Sequence, residues 1–195
     1  MNTDRITAHF QSSLTGLTKA AQDRDLLLVT QTIAKATADA LRSGKKLLLI
    51  GNGGSAADAQ HIAAEIVGRY KQERKAWPAI ALTTDTSALT AIANDYGFEQ
   101  IFARQLQGLG QRGDILFALT TSGRSPNILA ALKLARELGI TTVGFTGTKG
   151  ESLRAACDHL FVSPSDDTPV IQQIHMMAMH AICDEVEHAL IGAKP

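Results

Sequence analysis

Residues 120–125 read Thr-Thr-Ser-Gly-Arg-Ser, a turn crowded with hydroxyls, and they follow the apolar run 115–119. Pro126 comes next, with the fixed φ that suits the first residue of a helix. Hydroxyls and backbone N–H groups converging at a helix N-terminus make a cradle for an anion. A plain N-cap would need only Ser125; the crowding of Thr120, Thr121, Ser122 and Ser125 points instead to a phosphate.

A second turn, Gly51-Asn52-Gly53-Gly54-Ser55, also joins an apolar run to a helical pattern. Its glycines let the backbone come close to a ligand. It meets only the relaxed form of a dinucleotide fingerprint, with Ala56 in place of the last glycine. No acidic residue closes the second strand, which ends at Leu82, so no nicotinamide or flavin is implied. In a doubly wound sheet both turns lie at the carboxyl ends of neighbouring strands, where ligands bind.

Just beyond that turn, His61 and Glu65 are four residues apart and share a helical face. An imidazole and a carboxylate so placed can bind a divalent metal or share acid–base work. For an isolated H-x-x-x-E the ordinary surface pair is the favoured reading; small flanking alanines, which admit another group, weaken it. Near the C-terminus, Gln172, His175 and His180 interrupt an apolar stretch in which Met176, Met177 and Met179 read as core. On a straight helix Gln172 and His180 stand about 12 Å apart along the axis and about 80° round it, and His175 points about 140° away from His180. Spacing alone pairs Gln172 with His175. Asn94-Asp95-Tyr96-Gly97 follows a short helix and offers polar side chains beside a turn.

These residues can act together only if the chain brings their turns side by side. Two helical runs come first, over 5–20 and 26–41, and Ser43-Gly44 stops the second. Short apolar runs at 47–50, 79–82, 115–119, 142–146 and 159–162 then alternate with helical patterns at 56–70, 87–93, 99–109, 126–138 and 151–156, and a last helix covers 170–191. Strands apolar on both faces predict a parallel sheet covered by helices. The expected fold is therefore α/β: a three-layer αβα sandwich on a five-stranded parallel sheet, with extra N-terminal helices and a long C-terminal helix. The whole span 1–195 is read as one domain, residues 1–44 being helices for oligomer packing and 45–195 the α/β core. The helices exceed what such a sheet needs for cover, and another copy of the chain is the simplest partner for the surplus.

Composition fits a globular protein, with 45% apolar and 19% charged residues. Lys+Arg and Asp+Glu both number 19, so no net field draws the chain to nucleic acid or to a membrane. The start, Met1-Asn2-Thr3-Asp4-Arg5, lacks the basic and then apolar run of a signal peptide, and Cys157 and Cys183 fit neither a CxxC nor a metal-ligand spacing. Reduced cysteines and a cytoplasmic location are expected.

Over nearly its whole length the chain resembles the sugar isomerase (SIS) family and, within it, the phosphoheptose isomerases of bacterial envelope sugar synthesis. The resemblance is carried by GNGGSAADAQHIAAE at 51–65, PAIALTTDTSALTAIANDYG at 78–97, GDILFALTTSGRSPNI at 113–128 and IQQIHMMAMH at 171–180. It implies a sheet in the flavodoxin-like order, a first substrate loop at Asn52, Gly53, Gly54 and Ser55, and substrate contacts at Asn94 and Asp95. It also implies a phosphate cradle at Thr120, Thr121, Ser122 and Ser125. His61, Glu65, Gln172 and His180 match the metal-and-catalysis set, with one Zn2+ per subunit; Glu65 would be the base, His180 its partner, and Gln172 a substrate contact as well. The implied reaction converts sedoheptulose 7-phosphate to D-glycero-D-manno-heptose 7-phosphate, the first step of ADP-heptose and lipopolysaccharide core sugar synthesis, in a homotetramer with sites at subunit contacts. Arg124 stands where many relatives have Asn. The runner-up is a non-catalytic adaptor of the same fold that binds the bacterial replication initiator, but such adaptors lack the acid matching Glu65 and the histidine matching His180. A SIS-domain regulator would need a nucleic-acid-binding segment, for which this chain has no basic patch.

Overall fold

The computed structural model describes residues 3–192, so residues 1–2 and 193–195 of the expected 1–195 span lie outside the described residues. Helices α1 (Thr3–Gln22) and α2 (Arg24–Arg42) come first. Asp23 starts α2 by accepting the N–H groups of Asp25 and Leu26 at 3.0 Å, as N-cap carboxylates do.

Five parallel strands follow: β1 (Leu47–Gly51), β2 (Ala79–Ala81), β3 (Ile115–Leu119), β4 (Thr141–Gly147) and β5 (His159–Ser163), in the order β2-β1-β3-β4-β5. That is the flavodoxin-like order. Between and after them run α3 (Gly54–Val67), α4 (Thr86–Tyr96), α5 (Ile101–Leu109), α6 (Pro126–Leu138) and α7 (Thr168–Ile191). Every residue of β1 and β3 is buried, which requires helices on both faces.

Alternation along the strands divides the core in two. Leu47, Leu49, Ile115, Phe117, Val143 and Phe145 face α2, α3 and α7. Leu48, Ile50, Leu116 and Ala118 face α5 and α6, with Leu89 and Ile92 of α4 packed beside them. The expected three layers are thus present. On α1 a stripe of Ile6, Phe10 and Leu14 remains exposed. Among the described residues no helix is long and apolar enough to cross a membrane.

Three segments depart from the sequence reading. The helix expected at 151–156 is a 3-10 stretch, Thr148–Ala155, with non-helical backbone at Gly150. There the chain is pressed against the hydroxyl-rich loop: a Cβ on Gly150 would collide with Thr146 Oγ1, and one on Gly123 with the Gly150 backbone. The helix expected to begin at 99 opens as a 3-10 turn, Phe98–Gln100, before α5. α3 stops at Val67 instead of Tyr70, because the Arg74 guanidinium takes the carbonyls of Glu65, Ile66 and Gly68.

Candidate active site

Both predicted loops leave the carboxyl ends of neighbouring central strands, β1 and β3. In the first, Gly53 adopts φ +57, a conformation that favours glycine, and α3 begins at Gly54. A Cβ on Gly54 would lie 2.6 Å from Gln172 Nε2, so glycine there makes room for the Gln172 amide, which also reaches Ser55 Oγ at 3.5 Å. Asn52 turns toward α6: its Nδ2 donates to Asn127 Oδ1 at 3.0 Å, and Asn127 Nδ2 donates back to Asn52 Oδ1 at 2.9 Å.

In the second loop, Thr120 is buried and its Oγ1 accepts the Gly123 N–H at 3.2 Å. Ser125 Oγ lies 3.3 Å from Thr120 Oγ1, and Ser122 Oγ accepts the Arg124 N–H at 3.3 Å. Gly123 has φ +68, and Thr121 O accepts the Gly147 N–H at 3.2 Å. Ser125 stands at the N-cap of α6, yet its hydroxyl makes no capping bond. The plain N-cap reading of this serine does not hold; its oxygen faces its fellow hydroxyl.

His61 and Glu65 do share one face of α3, and α7 brings His180 to them. His61 Nε2 lies 3.1 Å from Glu65 Oε1 and 3.2 Å from His180 Nε2. One ligand atom from each of the three residues falls within 4.8 Å of the others. Two imidazole nitrogens and a carboxylate oxygen form the donor set of a catalytic zinc site with its fourth position open, so the residues fit the expected ion. His61 is exposed and the other two half-buried. Burial pushes the His180 pKa down, as does the neighbouring His61, and Glu65 pulls it the other way.

The structure separates the two histidines of α7. His175 is fully buried, packs edge-on against Phe145 and Phe161, and places Nε2 3.2 Å from Thr146 O. Burial lowers its pKa to about 4, partly offset by that backbone contact. It is a core residue.

Three predicted members stand elsewhere. The Gln172 amide sits at Gly54 and Ser55, about 12 Å along α7 from His180, so within one chain it belongs with the first loop. Asn94 and Asp95, expected beside a turn, occupy the last turn of α4, where Asn94 Nδ2 donates to Asp95 Oδ1 at 2.8 Å. Both are exposed, and among the described residues neither bonds to the loops or to the His–Glu–His cluster.

Sequence reasoning missed Asn127, Asp58 and Tyr70. Asp58 precedes His61 by three residues and Glu65 by seven, a helical spacing that could have revealed it. Burial raises its pKa to about 6, against the pull of His61. Tyr70 lays its ring on His180, with centroids 5.5 Å apart and planes 19° apart; no local signal announces that contact.

A parallel sheet with hydroxyl-rich and glycine-rich loops at one edge, beside a His–Glu–His cluster, defines a class of phosphosugar-handling domains. A family model described as the SIS domain matches residues 9–147. A phosphoheptose isomerase from Bradyrhizobium sp. (strain BTAi1 / ATCC BAA-1182) is 62% identical over 188 residues, which are 96% of this chain and 95% of that protein. The solved phosphoheptose isomerase of Neisseria gonorrhoeae superimposes with a TM-score of 0.89 at 40% identity, covering 96% of this chain and 99% of its own. That of Francisella tularensis gives 0.92 at 37% identity, with the same coverage of 96% and 99%. The chain belongs to the SIS family and, within it, to the phosphoheptose isomerases, a family of sugar-phosphate isomerases.

Proposed function

We propose that this chain converts sedoheptulose 7-phosphate to D-glycero-D-manno-heptose 7-phosphate, the opening step of ADP-heptose and lipopolysaccharide core sugar synthesis in the cytoplasm. The observation that carries this reading is the meeting of Glu65 with His61 and His180 across α3 and α7. Ketose–aldose conversion moves one proton between C1 and C2 and another between their oxygens, so one base and one acid suffice through an enediol. Glu65 takes the carbon-bound proton, and His180 serves the oxygens. His61, Glu65 and His180 would hold a zinc ion, which as a Lewis acid would polarise the sugar carbonyl.

Thr120, Thr121, Ser122 and Ser125 hold the phosphate, with Asn52, Gly53, Gly54, Ser55 and Gln172 along the sugar. His61 and Glu65 lie about 10 and about 16 Å along α3 from Gly54. Binding energy spent at the phosphate then positions C1 and C2.

The span 1–195 forms one domain in this reading. The exposed stripe Ile6, Phe10 and Leu14 supports burial of the first helices, within residues 1–44, against other copies. A homotetramer would close the open side of the cluster and let Asn94 and Asp95 reach substrate across a subunit contact. The test is incubation with sedoheptulose 7-phosphate, with and without a chelator. A new aldose, lost on chelation, is expected. No product would sink the isomerase and favour the non-catalytic adaptor, whereas product indifferent to chelation would remove zinc alone.

A further inference from the structure

Glu187, two helical turns beyond His180 on α7 and on the same face, is a carboxylate with 1% of its side chain exposed. It accepts four hydrogen bonds: Oε1 from Tyr70 N at 2.8 Å and Arg74 Nε at 2.9 Å, Oε2 from Lys71 N and Gln72 N at 2.9 Å. Successive backbone N–H groups gathered on one anion in this way form a nest. Burial pushes the Glu187 carboxyl up, but the N–H groups of Lys71, Tyr70 and Gln72, with Arg74, outweigh it and hold the pKa below the ordinary carboxylate value.

Arg74 carries the link across to α3. Its side chain is 4% exposed, and its guanidinium lies 3.7 Å from the centre of the Trp77 ring. Nη2 donates to Glu65 O at 2.8 Å and Nη1 to Ile66 O at 2.9 Å, carbonyls that the end of α3 would otherwise leave without helical partners. One buried ion pair therefore joins the last turns of the two helices that bear His61, Glu65 and His180. The first residue the nest holds is Tyr70, whose ring is stacked on His180, while His61 meets the same imidazole edge-on at 5.1 Å between centroids.

We propose that Glu187 and Arg74 are positioning residues for the His61–Glu65–His180 site, fixing the spacing of α3 and α7 and seating Tyr70 as the wall against which the His180 ring rests. This rests on the reading of that cluster as the isomerase site. Neither residue touches substrate; both act through the groups they hold. The chemistry is that of outer-shell support, which keeps ligating side chains in one orientation.

The test compares full-length wild type with Glu187→Gln and with Asp184→Asn, which removes the exposed Lys71–Asp184 pair next door and leaves the buried nest intact. Glu187→Gln is expected to lower kcat ~10–100-fold and to weaken Zn2+ binding by the metal-free protein by a similar factor. KM should stay within about twofold, since the phosphate loop is untouched. In the metal-free protein the NMR signal of the His180 ring, identified by its loss in His180→Gln, should shift as the Tyr70 stack loosens, and amide exchange at Tyr70–Gln72 should accelerate. Asp184→Asn should leave all of these unchanged. If Glu187→Gln is insoluble, Arg74→Lys carries the same expectations, because an ammonium cannot span Glu187 and the two α3 carbonyls.

Faster exchange at Tyr70–Gln72 with the His180 signal, zinc affinity and kcat all unmoved would overturn the proposal. So would equal losses in Asp184→Asn. An inactive wild type would remove the isomerase reading by itself; the His180 signal then decides the clamp alone, supporting it by shifting and overturning it by staying still.

Discussion

The side-chain amides of Asn52 and Asn127 bond to each other in both directions, joining the glycine-rich loop after β1 to the first turn of α6. Asn127 Oδ1 also accepts the Ile128 N–H at 2.9 Å, so one buried side chain fixes the glycine-rich loop and starts the helix behind the hydroxyl-rich one. The two loops are thereby a single unit, although 75 residues separate the partners.

Asn127→Ala is expected to cost about 1–3 kcal/mol, the usual penalty for leaving buried hydrogen-bonding groups unpaired. Asn52 would then be free to swing, so KM should rise more than kcat falls. Denaturant unfolding and steady-state kinetics read the two effects separately. Unchanged KM would mean that the loops hold their places without this pair.

Glu65→Gln and His180→Gln should each abolish measurable turnover, a loss of at least ~10²-fold if these groups move the protons. Both side chains stand at the open cluster and not in the core. The melting temperature and circular dichroism spectrum of the metal-free variants should therefore match those of metal-free wild type. Near-normal activity in either variant would remove that residue from the proton-transfer steps.

Much of the fold is legible in the sequence because its punctuation is local. Pro126 and Gly139, the latter left-handed at φ 72, bracket α6, which runs from Pro126 to Leu138 as the pattern predicts. The apolar run 115–119 coincides with β3. The end of α3 is not legible, since it is set by Arg74, a residue outside the helix. The 3-10 stretch Thr148–Ala155 follows from the close approach of Gly150 to Gly123, a contact between two distant glycines.

The site divides in the same way. His61 and Glu65 can be paired from helical spacing alone. The choice of His180 over His175 cannot, because which side of α7 meets α3 and which meets Phe145 and Phe161 is decided by tertiary packing. Asn127 and Glu187 are polar residues on otherwise ordinary helices. Their roles become visible only when the partners, 75 and 115–117 residues away, are in place.

Ser122→Ala combined with Ser125→Ala should weaken substrate binding first. Ser125 Oγ lies beside Thr120 Oγ1 and is not used to cap α6, so its loss should spare the helix. With the reacting groups on α3 and α7 intact, KM should rise several-fold while kcat falls less. Inorganic phosphate, as a competitive inhibitor, should weaken in parallel. A fall in kcat at unchanged KM would contradict a phosphate cradle here.

His175 makes a prediction about acid stability. In the folded chain burial holds it neutral down to about pH 4, whereas its ordinary pKa is 6.5. Between these values the unfolded chain binds a proton that the folded chain refuses, so stability must fall as the pH drops from 6.5 to 4. The full effect of such a gap is about 3 kcal/mol, reached below both pKa values. His175→Gln keeps a side chain able to donate to Thr146 O but cannot titrate. Urea unfolding across this range should show a flatter pH dependence in the variant, with the difference vanishing above pH 7. Parallel curves for variant and wild type would mean that the buried imidazole accepts its proton without loss of the fold.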